Sequence, residues 1–204
     1  MPVRNVVKVY APDSYYHLYT RGWNSSKIFL DEDDYLYFEQ LLARHLSAHP
    51  KHDKKGREYT QHYPAVKLNA YCLMGNHLHL LVYQRDEQAI VHLAKSLFVA
   101  YTMYFNKKYK RRGALFESTY KAVRMQSDEQ LMHITRYIHL NHSRYREWRH
   151  SSYQDYLCDS PRDFIFPAQI LGLFHSCRQY EVFVADYEAL QRTRDAIKRE
   201  LSAE

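Results

Sequence analysis

Two histidines separated by one residue lie inside an otherwise apolar segment of the chain. His77 and His79 flank Leu78, and the apolar residues Leu80 to Val82 follow directly. Because alternate side chains of a β-strand point to the same face, both imidazoles would share one face while Leu78 and Leu80 pack inward. Two imidazoles so placed could provide half of a metal site. The ordinary alternative is a pair of surface or hydrogen-bonded histidines on a half-exposed strand.

A later amphipathic segment carries a phenol and an amide at helical spacing. Tyr137 and Asn141 lie four residues apart in a segment that is predicted to be helical from about Asp128, its N-cap, to about Asn141. Both fall at the edge of the apolar stripe that contains Leu131 and Ile138, so their polar atoms could face the histidine pair. The alternative is that Tyr137 is an ordinary residue at the edge of the core and Asn141 only ends the helix.

Strands and helices are predicted to alternate around these two segments. The order is strand, helix, strand, strand, helix, strand, helix, which is typical of a ferredoxin-like, RRM-like α+β fold with a mainly antiparallel sheet and helices on one face. The second and third strands are joined by Gly75 and Asn76 as a hairpin. The predicted strands cover residues 15–20, 65–74, 77–83 and 118–125, and the predicted helices cover 32–47, 86–109 and 128–141.

A division of the chain into two parts is predicted near residue 145. Residues 1–145 contain all the elements above, and Pro161 and Pro167 interrupt the region that follows. Periodic apolar residues return at about 168–174 and 179–201. Residues 146–204 are therefore predicted to form a helical C-terminal extension.

The composition favours a polyanionic partner and argues against several other classes of protein. The 29 Lys and Arg against 23 Asp and Glu give a net charge of +6, and the 20 tyrosines offer flat faces for unpaired bases. The three cysteines show no CxxC spacing, so a disulfide framework or a cysteine zinc site is not expected. No membrane span and no signal-peptide layout is evident. We expect a cytoplasmic, nucleoid-associated protein.

Five sequence blocks, in this order, resemble the single-tyrosine transposases that carry an HUH motif, histidine–hydrophobe–histidine. They resemble in particular the REP-associated tyrosine transposases, and the similarity extends over roughly residues 10–160. The blocks are YHLYTRG at 16–22, AYCLMGNHLHLLV at 70–82, YFNKKY at 104–109, GALFESTYKA at 113–122 and YIHLN at 137–141.

The resemblance implies a reaction and a role for each matching residue. His77, His79 and Asn141 would bind a divalent cation, Mg²⁺ or Mn²⁺ with Zn²⁺ possible in vitro, and Tyr137 would be the nucleophile. The implied reaction is metal-dependent cleavage and rejoining of single-stranded DNA through a 5′-phosphotyrosine intermediate. The implied partner is single-stranded or hairpin DNA from repeated elements, and the implied assembly is a monomer or a homodimer.

Two positions depart from the family pattern. Gly75 replaces the usual proline before the first histidine block, and His142 replaces the proline that usually follows the helix asparagine. Without that proline the helix could continue past Asn141, which leaves the orientation of the amide open. His133, His139 and His142 are additional candidates for the site.

Basic residues in three parts of the chain are predicted to contact nucleic acid. The basic residues at the end of the second helix have an alternative role: they could be solvated cations that interact favourably with the negative C-terminal end of the helix dipole. The predicted contact residues are Arg21, the cluster Lys107, Lys108, Lys110, Arg111 and Arg112, and the pair Lys121 and Arg124.

Two other functions compete with this interpretation. A relative without catalytic activity would bind DNA or RNA through the same fold and basic surface. A zinc hydrolase would also use two histidines at this spacing, but the HxHxDH pattern of metallo-β-lactamases is absent because Leu80, Leu81 and Val82 follow His79. A covalent DNA adduct would distinguish the transposase-like enzyme from both.

Overall fold

The computed structural model describes residues 10–118, 120–157 and 160–187. Within these residues, the regular structure is one four-stranded sheet together with helices. The strands are β1 (Ser14–Arg21), β2 (Val66–Met74), β3 (His77–Gln84) and β4 (Lys121–Arg124). The helices are α1 (Glu32–Leu46), α2 (Ala89–Lys108), α3 (Asp128–His139) and the short α4 (Ala168–Leu171), and residues 177–187 are also helical.

The sheet has the order β2-β3-β1-β4, and every neighbouring pair is antiparallel. This order, with α1 and α2 as the connections, confirms the predicted ferredoxin-like α+β fold. The predicted hairpin is also present, since Met74 pairs with His77 across the turn at Gly75 and Asn76. The strand β3 that begins with the histidines is therefore held on both sides, by β2 and by β1.

One face of the sheet carries the larger hydrophobic core. Leu78, Leu80 and Val82 of β3 point into it, as the alternation of the sequence predicts, and all three are buried. The helices α1 and α2 cover this face with apolar residues that include Phe38 and Tyr101. Asp31 caps α1 as predicted, because its side chain accepts a hydrogen bond from the backbone N–H of Asp34.

The opposite face of the sheet carries a second core. Ala70, Cys72 and Leu81 point to this face and pack with Leu131 and Ile138 of α3. The helix α3 therefore lies on the face opposite α1 and α2, which differs from the expectation that the helices share one face. The physical reason is that both faces of β2 and β3 are apolar, so both must be covered.

The region after residue 145 packs against the same sheet. The Ser152 backbone N–H donates to the Tyr71 carbonyl at 3.0 Å, and the Phe166 N–H donates to the Leu68 carbonyl at 2.8 Å. Tyr153 and Tyr156 lie in the second core. A boundary at residue 145 stays a prediction, and the part of the predicted C-terminal helix beyond residue 187 lies outside the described residues.

Two predicted details of α3 are wrong. Its N-cap is Ser127 rather than Asp128, because the Ser127 hydroxyl accepts a hydrogen bond from the Gln130 N–H. It ends at His139 rather than Asn141. The Asn141 side-chain amide donates to the Tyr137 carbonyl at 2.9 Å. In a helix that continued past His139, the Asn141 backbone N–H would donate to this carbonyl instead.

Across the described ranges, no helix is both long and apolar enough to span a membrane.

Candidate active site

The two histidines of the HxH segment stand on one face of β3, where the sequence predicts them. Their ring centroids are 5.1 Å apart, and the rings are nearly perpendicular. His79 is buried and His77 is half-buried. Because β3 is an interior strand of the sheet, the backbone fixes both Cβ positions, and only the ring rotations remain to be determined by neighbouring groups.

Asn76 determines the orientation of the His77 ring. The Asn76 side chain donates through Nδ2 to the Ser25 carbonyl at 3.3 Å, and its Oδ1 lies 2.7 Å from His77 Nδ1. Since the Asn76 Oδ1 can only accept, His77 carries its proton on Nδ1 and donates it there. The lone pair of the neutral His77 ring is then on Nε2.

His17 of β1 holds the second histidine in the same way. His17 Nε2 lies 2.8 Å from His79 Nδ1, and the two rings are stacked with centroids 5.0 Å apart. When the shared proton is on His79 Nδ1, His79 Nε2 has the free lone pair. Metal-binding histidines in proteins commonly donate their second ring N–H to a hydrogen-bond acceptor, and His17 Nε2 can serve as that acceptor here.

The site keeps its imidazoles neutral. Burial and the nearby imidazoles of His17 and His77 lower the pKa of His79 to about 3. Burial lowers the pKa of His17 to about 4. The pKa of His77 is also lowered, since burial and the charge of Arg21 outweigh its hydrogen bond with Asn141. Neutral imidazole is the form that binds a metal, so the histidine pair is ready for ligation at neutral pH.

Tyr137 of α3 lies beside the histidines. Its ring centroid is 5.5 Å from that of His79 and 6.2 Å from that of His17, both in edge-to-face orientation. The ring is 48% exposed, although it belongs to a helix that packs on the sheet. A half-exposed phenol beside buried imidazoles is open to a substrate from the solvent side.

Asn141 lies in the turn that follows α3, close to His77 and Tyr137. Its amide Nδ2 donates to the Tyr137 carbonyl, so Oδ1 is the acceptor atom of the amide, and the side chain lies within hydrogen-bonding reach of His77. Within the described part of the chain, no cluster of three or more His, Cys, Asp or Glu side chains could hold a metal ion. Beside His77 and His79, the Asn141 amide oxygen is a third group that could bind a metal ion.

The donor set fits a divalent cation. Two neutral imidazoles with their Nδ1 atoms engaged, together with one amide oxygen, form a mixed nitrogen and oxygen set that suits Mn²⁺, Mg²⁺ or Zn²⁺ and leaves positions for water or phosphate oxygens. His77, His79 and Asn141 would hold the ion.

A cavity of about 530 Å³ opens over the histidines, and we name it the histidine cavity. It contains two of the predicted DNA-contact residues, Arg21 and Lys121, beside Tyr137. Lys121 lies with its Nζ 5.8 Å from the centroid of the Tyr19 ring. The full lining is Tyr19, Thr20, Arg21, His77, His79, Glu117, Ser118, Lys121 and Tyr137.

The other predicted basic residues lie outside this cavity. Lys108 is engaged in the fold, since its Nζ lies 2.7 Å from Asp31 Oδ1 and 2.9 Å from Asp34 Oδ1. Arg111 lies over the Phe105 ring, with its guanidinium carbon 5.5 Å from the ring centroid. Arg124 lines a different cavity next to α3. Lys107, Lys110 and Arg112 are exposed at or just beyond the end of α2.

The three additional histidine candidates do not meet the histidine pair. His139 is fully buried on the other side of α3, where its ring nitrogens bond to Tyr180 Oη at 2.6 Å and Ser152 Oγ at 2.8 Å. His142 stacks on Trp148 with ring centroids 3.9 Å apart. His133 lines the cavity that contains Arg124.

Sequence reasoning did not single out His17, Asn76 or Glu117. The alternation of Tyr15, His17 and Tyr19 on β1 shows that they share a face. The sequence does not show which strand lies beside β3, so the partner of His79 could not be named. The sequence places Asn76 only in the turn before β3, and Glu117 only within the resembling block at residues 113–122.

A comparison with known protein families gives a match that spans the segments carrying the candidate site residues. The family model described as "Transposase IS200 like" matches residues 51–141, a range that contains His77, His79, Tyr137 and Asn141. No curated protein matches the chain.

Two solved structures resemble the chain in fold. A REP-associated tyrosine transposase bound to a REP hairpin superimposes with a TM-score of 0.51 at 12% identity, covering 80% of this chain and 92% of that one. A putative transposase from Deinococcus radiodurans R1 gives a TM-score of 0.40 at 18% identity, covering 70% of this chain and 98% of that one. At these identities the first similarity concerns the fold alone, and the second is too weak to carry an argument. The family match confirms the sequence resemblance to IS200-like transposases over residues 51–141.

Proposed function

We propose that this chain cleaves and rejoins single-stranded DNA, with Tyr137 as the nucleophile. The observation that carries the proposal is the contact between Tyr137 and the histidine pair, with the Tyr137 and His79 rings 5.5 Å apart. Residues that lie far apart in the sequence converge there on one cavity that also contains Arg21 and Lys121. The transposase-like function on DNA that the family match supports is consistent with this chemistry.

The proposed reaction is a transesterification at phosphorus. The Tyr137 oxygen attacks the phosphorus atom, the bond from phosphorus to the 3′ oxygen breaks, and the products are a 5′-phosphotyrosine and a free 3′ hydroxyl. The phenol proton leaves the tyrosine and the 3′ oxygen gains a proton, so atoms and charge balance. Rejoining is the reverse attack by a 3′ hydroxyl, and it needs no ATP because the phosphotyrosine bond replaces the broken phosphodiester.

The residues in and beside the histidine cavity have different roles in this reaction. Arg21 and Lys121 attract the phosphate and stabilise the negative charge that develops on it during the reaction. His77, His79 and Asn141 would hold Mg²⁺ or Mn²⁺. When bound, the cation supplies Lewis-acid polarisation of the phosphate and stabilises charge on the leaving oxygen.

The proposal is tested with Mn²⁺ and end-labelled single-stranded DNA that carries the hairpins flanking the gene. Denaturing gels should show a protein–DNA adduct for the wild-type chain. Tyr137→Phe should abolish the adduct while keeping the ring beside His79. Tyr19→Phe is the matched control, because that phenol lines the same cavity and should be dispensable.

Two results would contradict the proposal. An adduct that persists in Tyr137→Phe would assign the nucleophile elsewhere. DNA binding without any adduct, for the wild-type chain over a range of Mn²⁺ and Mg²⁺ concentrations, would favour a binding protein without catalytic activity.

A further inference from the structure

A second cavity shares Tyr137 with the histidine cavity. Its volume is about 910 Å³, within the range of roughly 300–1,000 Å³ that is typical of sites for small organic groups. The end of β4, one side of α3 and Tyr187 form its walls. The lining residues are Val123, Arg124, Met125, Gln126, Glu129, Gln130, His133, Ile134, Arg136, Tyr137 and Tyr187.

The walls offer flat and apolar surfaces that the fold leaves open. Tyr137 and Val123 are each 48% exposed. Ile134 and the half-buried Tyr187 lie on the same cavity. Aromatic and aliphatic surfaces of this kind bind unstacked nucleobases without regard to sequence.

Arg136 holds the Tyr187 ring in place. Its guanidinium carbon lies 4.2 Å from the Tyr187 ring centroid and 4.0 Å from that of Phe183. The guanidinium also donates to the Phe183 carbonyl at 3.2 Å and lies 2.7 Å from His133 Nδ1. With one face of Tyr187 covered by Arg136, the ring forms a fixed platform at the wall of the cavity.

The polar groups of the cavity suit a base better than a phosphate. Gln126 and Gln130 carry amides, which match the donor and acceptor pattern of base edges. The Gln130 Oε1 already accepts from the Gln126 backbone N–H at 2.9 Å, so Gln130 offers its donor, the side-chain NH₂, while Gln126 offers its whole amide. Glu129 adds a negative charge on the wall, with its Oε1 3.6 Å from His133 Nε2, and this charge opposes a phosphate in the cavity itself. Arg124 supplies a positive charge on the wall for a neighbouring phosphate.

We propose that this second cavity binds an unpaired nucleobase of the DNA strand, at a nucleotide next to the bond that Tyr137 cleaves. The inference rests on the proposed function, because Tyr137 is the wall that both cavities share. A base inside a duplex is stacked and paired, so only a single strand can place one against Tyr187. The cavity thus provides a physical reason for selecting single-stranded substrate.

The first test measures binding without cleavage, in the Tyr137→Phe protein. Fluorescence anisotropy with a labelled 12-nucleotide oligothymidylate should show that Tyr187→Ala weakens binding about tenfold, as expected for loss of one base–aromatic stack. Tyr187→Phe should restore it. Tyr59→Ala is the matched control, since Tyr59 is also half-buried, with the Arg44 guanidinium 4.0 Å from its ring centroid, but lies outside both cavities. Equal affinities for Tyr187→Ala and its parent would overturn the proposal.

The second test locates the bound nucleotide. In an oligonucleotide that the wild-type chain cleaves, an abasic residue next to the cleaved bond should weaken binding about tenfold in the Tyr137→Phe protein and less than twofold when Tyr187→Ala is added. The same loss in both proteins would overturn the subsite even if the covalent adduct still forms. If no adduct forms with any DNA, the proposed reaction fails, and the oligothymidylate test still decides whether the cavity holds a base.

Discussion

His17 Nε2 lies 2.8 Å from His79 Nδ1, and this contact connects β1 to the histidine pair on β3. His17 lies outside residues 51–141, the range that the transposase family model matches. Both imidazoles of the pair are held by Nδ1, one by His17 and the other by Asn76, so both present Nε2 to the proposed metal. The ring orientations are therefore determined by two residues that touch neither metal nor DNA in the proposed site.

Removing the hydrogen-bond partner at position 17 should weaken metal binding. His17→Phe keeps an aromatic ring against His79 but leaves His79 Nδ1 without its partner. We expect Mn²⁺ affinity to fall by roughly 10- to 100-fold, the usual effect of losing such a partner. Isothermal titration calorimetry with Mn²⁺ measures the affinity, and thermal melting checks that the fold is kept.

The control for this variant is His92→Phe, which changes an exposed histidine of α2. It should leave Mn²⁺ affinity unchanged. Unaltered affinity in His17→Phe, with a normal melting temperature, would show that His17 does not position His79.

Asn141 should behave as a ligand through its side-chain oxygen. Asn141→Ala should lower Mn²⁺ affinity strongly, whereas Asn141→Asp should keep it or raise it, because a carboxylate oxygen is a better ligand for hard cations. The electron paramagnetic resonance signal of free Mn²⁺ reports the bound fraction directly. If Asn141→Ala binds Mn²⁺ as well as the wild-type chain, the third ligand lies elsewhere.

Substitution of two adjacent lysines of α2 should affect the stability of the fold to different extents. Asp34 is fully buried and accepts hydrogen bonds from Lys108 Nζ at 2.9 Å and Tyr109 Oη at 2.8 Å. Lys108→Met should lower the free energy of unfolding by about 1–3 kcal/mol, because it removes a charged donor from a buried carboxylate. Lys107→Met should change stability by less than about 0.5 kcal/mol, because Lys107 is exposed.

The affinity for DNA should also differ between Lys107→Met and Lys108→Met. At low salt, Lys107→Met should weaken binding of single-stranded DNA modestly and reduce its salt dependence. Urea denaturation and anisotropy titrations at several salt concentrations measure both quantities. The assignment of Lys108 to the fold would be wrong if Lys108→Met lost DNA affinity while keeping full stability.

His150 should make stability fall as the pH rises above neutrality. Burial lowers the pKa of His150, but the adjacent carboxylates of Glu39 and Glu32 outweigh it, and the net pKa is raised above its usual value. His150 Nε2 lies 3.0 Å from Glu32, and its Nδ1 lies 3.3 Å from Glu39 without the alignment of a hydrogen bond. A raised pKa means that the folded state binds the proton more tightly than the unfolded state.

Protonated His150 contributes fully to the free energy of unfolding below about pH 6.5, the usual pKa of histidine. This contribution is lost as the pH rises through the pKa of His150 in the folded state. Urea denaturation of the wild-type chain from pH 6.5 to 8.5 should therefore show decreasing stability, and His150→Gln should flatten this dependence. This window avoids the buried neutral histidines, whose lowered pKa values make stability rise with pH at more acidic values. A slope that is unchanged in His150→Gln would contradict the assignment.

The local pattern of residues was sufficient for much of the fold. Alternation in Leu78, Leu80 and Val82 identified the inward face of β3 and thereby the common direction of His77 and His79. The Asp31 cap and the turn at Gly75 and Asn76 were also predictable, because caps and turns depend on neighbouring residues.

The end of α3 could not be predicted in the same way. Tyr137 and Asn141 are four residues apart, the spacing that places two side chains on one face of a helix. The helix nevertheless ends at His139, before it reaches Asn141. The Asn141 side chain bonds to the Tyr137 carbonyl, and His142 stacks on Trp148. Competition between a side chain and the backbone for one carbonyl is not visible in apolar periodicity.

The reactive groups could be identified from the residues alone: two histidines on one strand face, a phenol and an amide near the end of an amphipathic helix, and an excess of positive charge. Their arrangement depends on packing between distant elements, because α3 crosses the sheet face opposite α1 and α2 and so places Tyr137 beside His79. The tertiary structure also decided which cations remain for DNA, since Lys108 is engaged by Asp31 and Asp34 whereas Lys121 lines the histidine cavity. The physical reason is that spacing along one element fixes which side chains share a face, whereas strand order and burial of both sheet faces fix which elements meet.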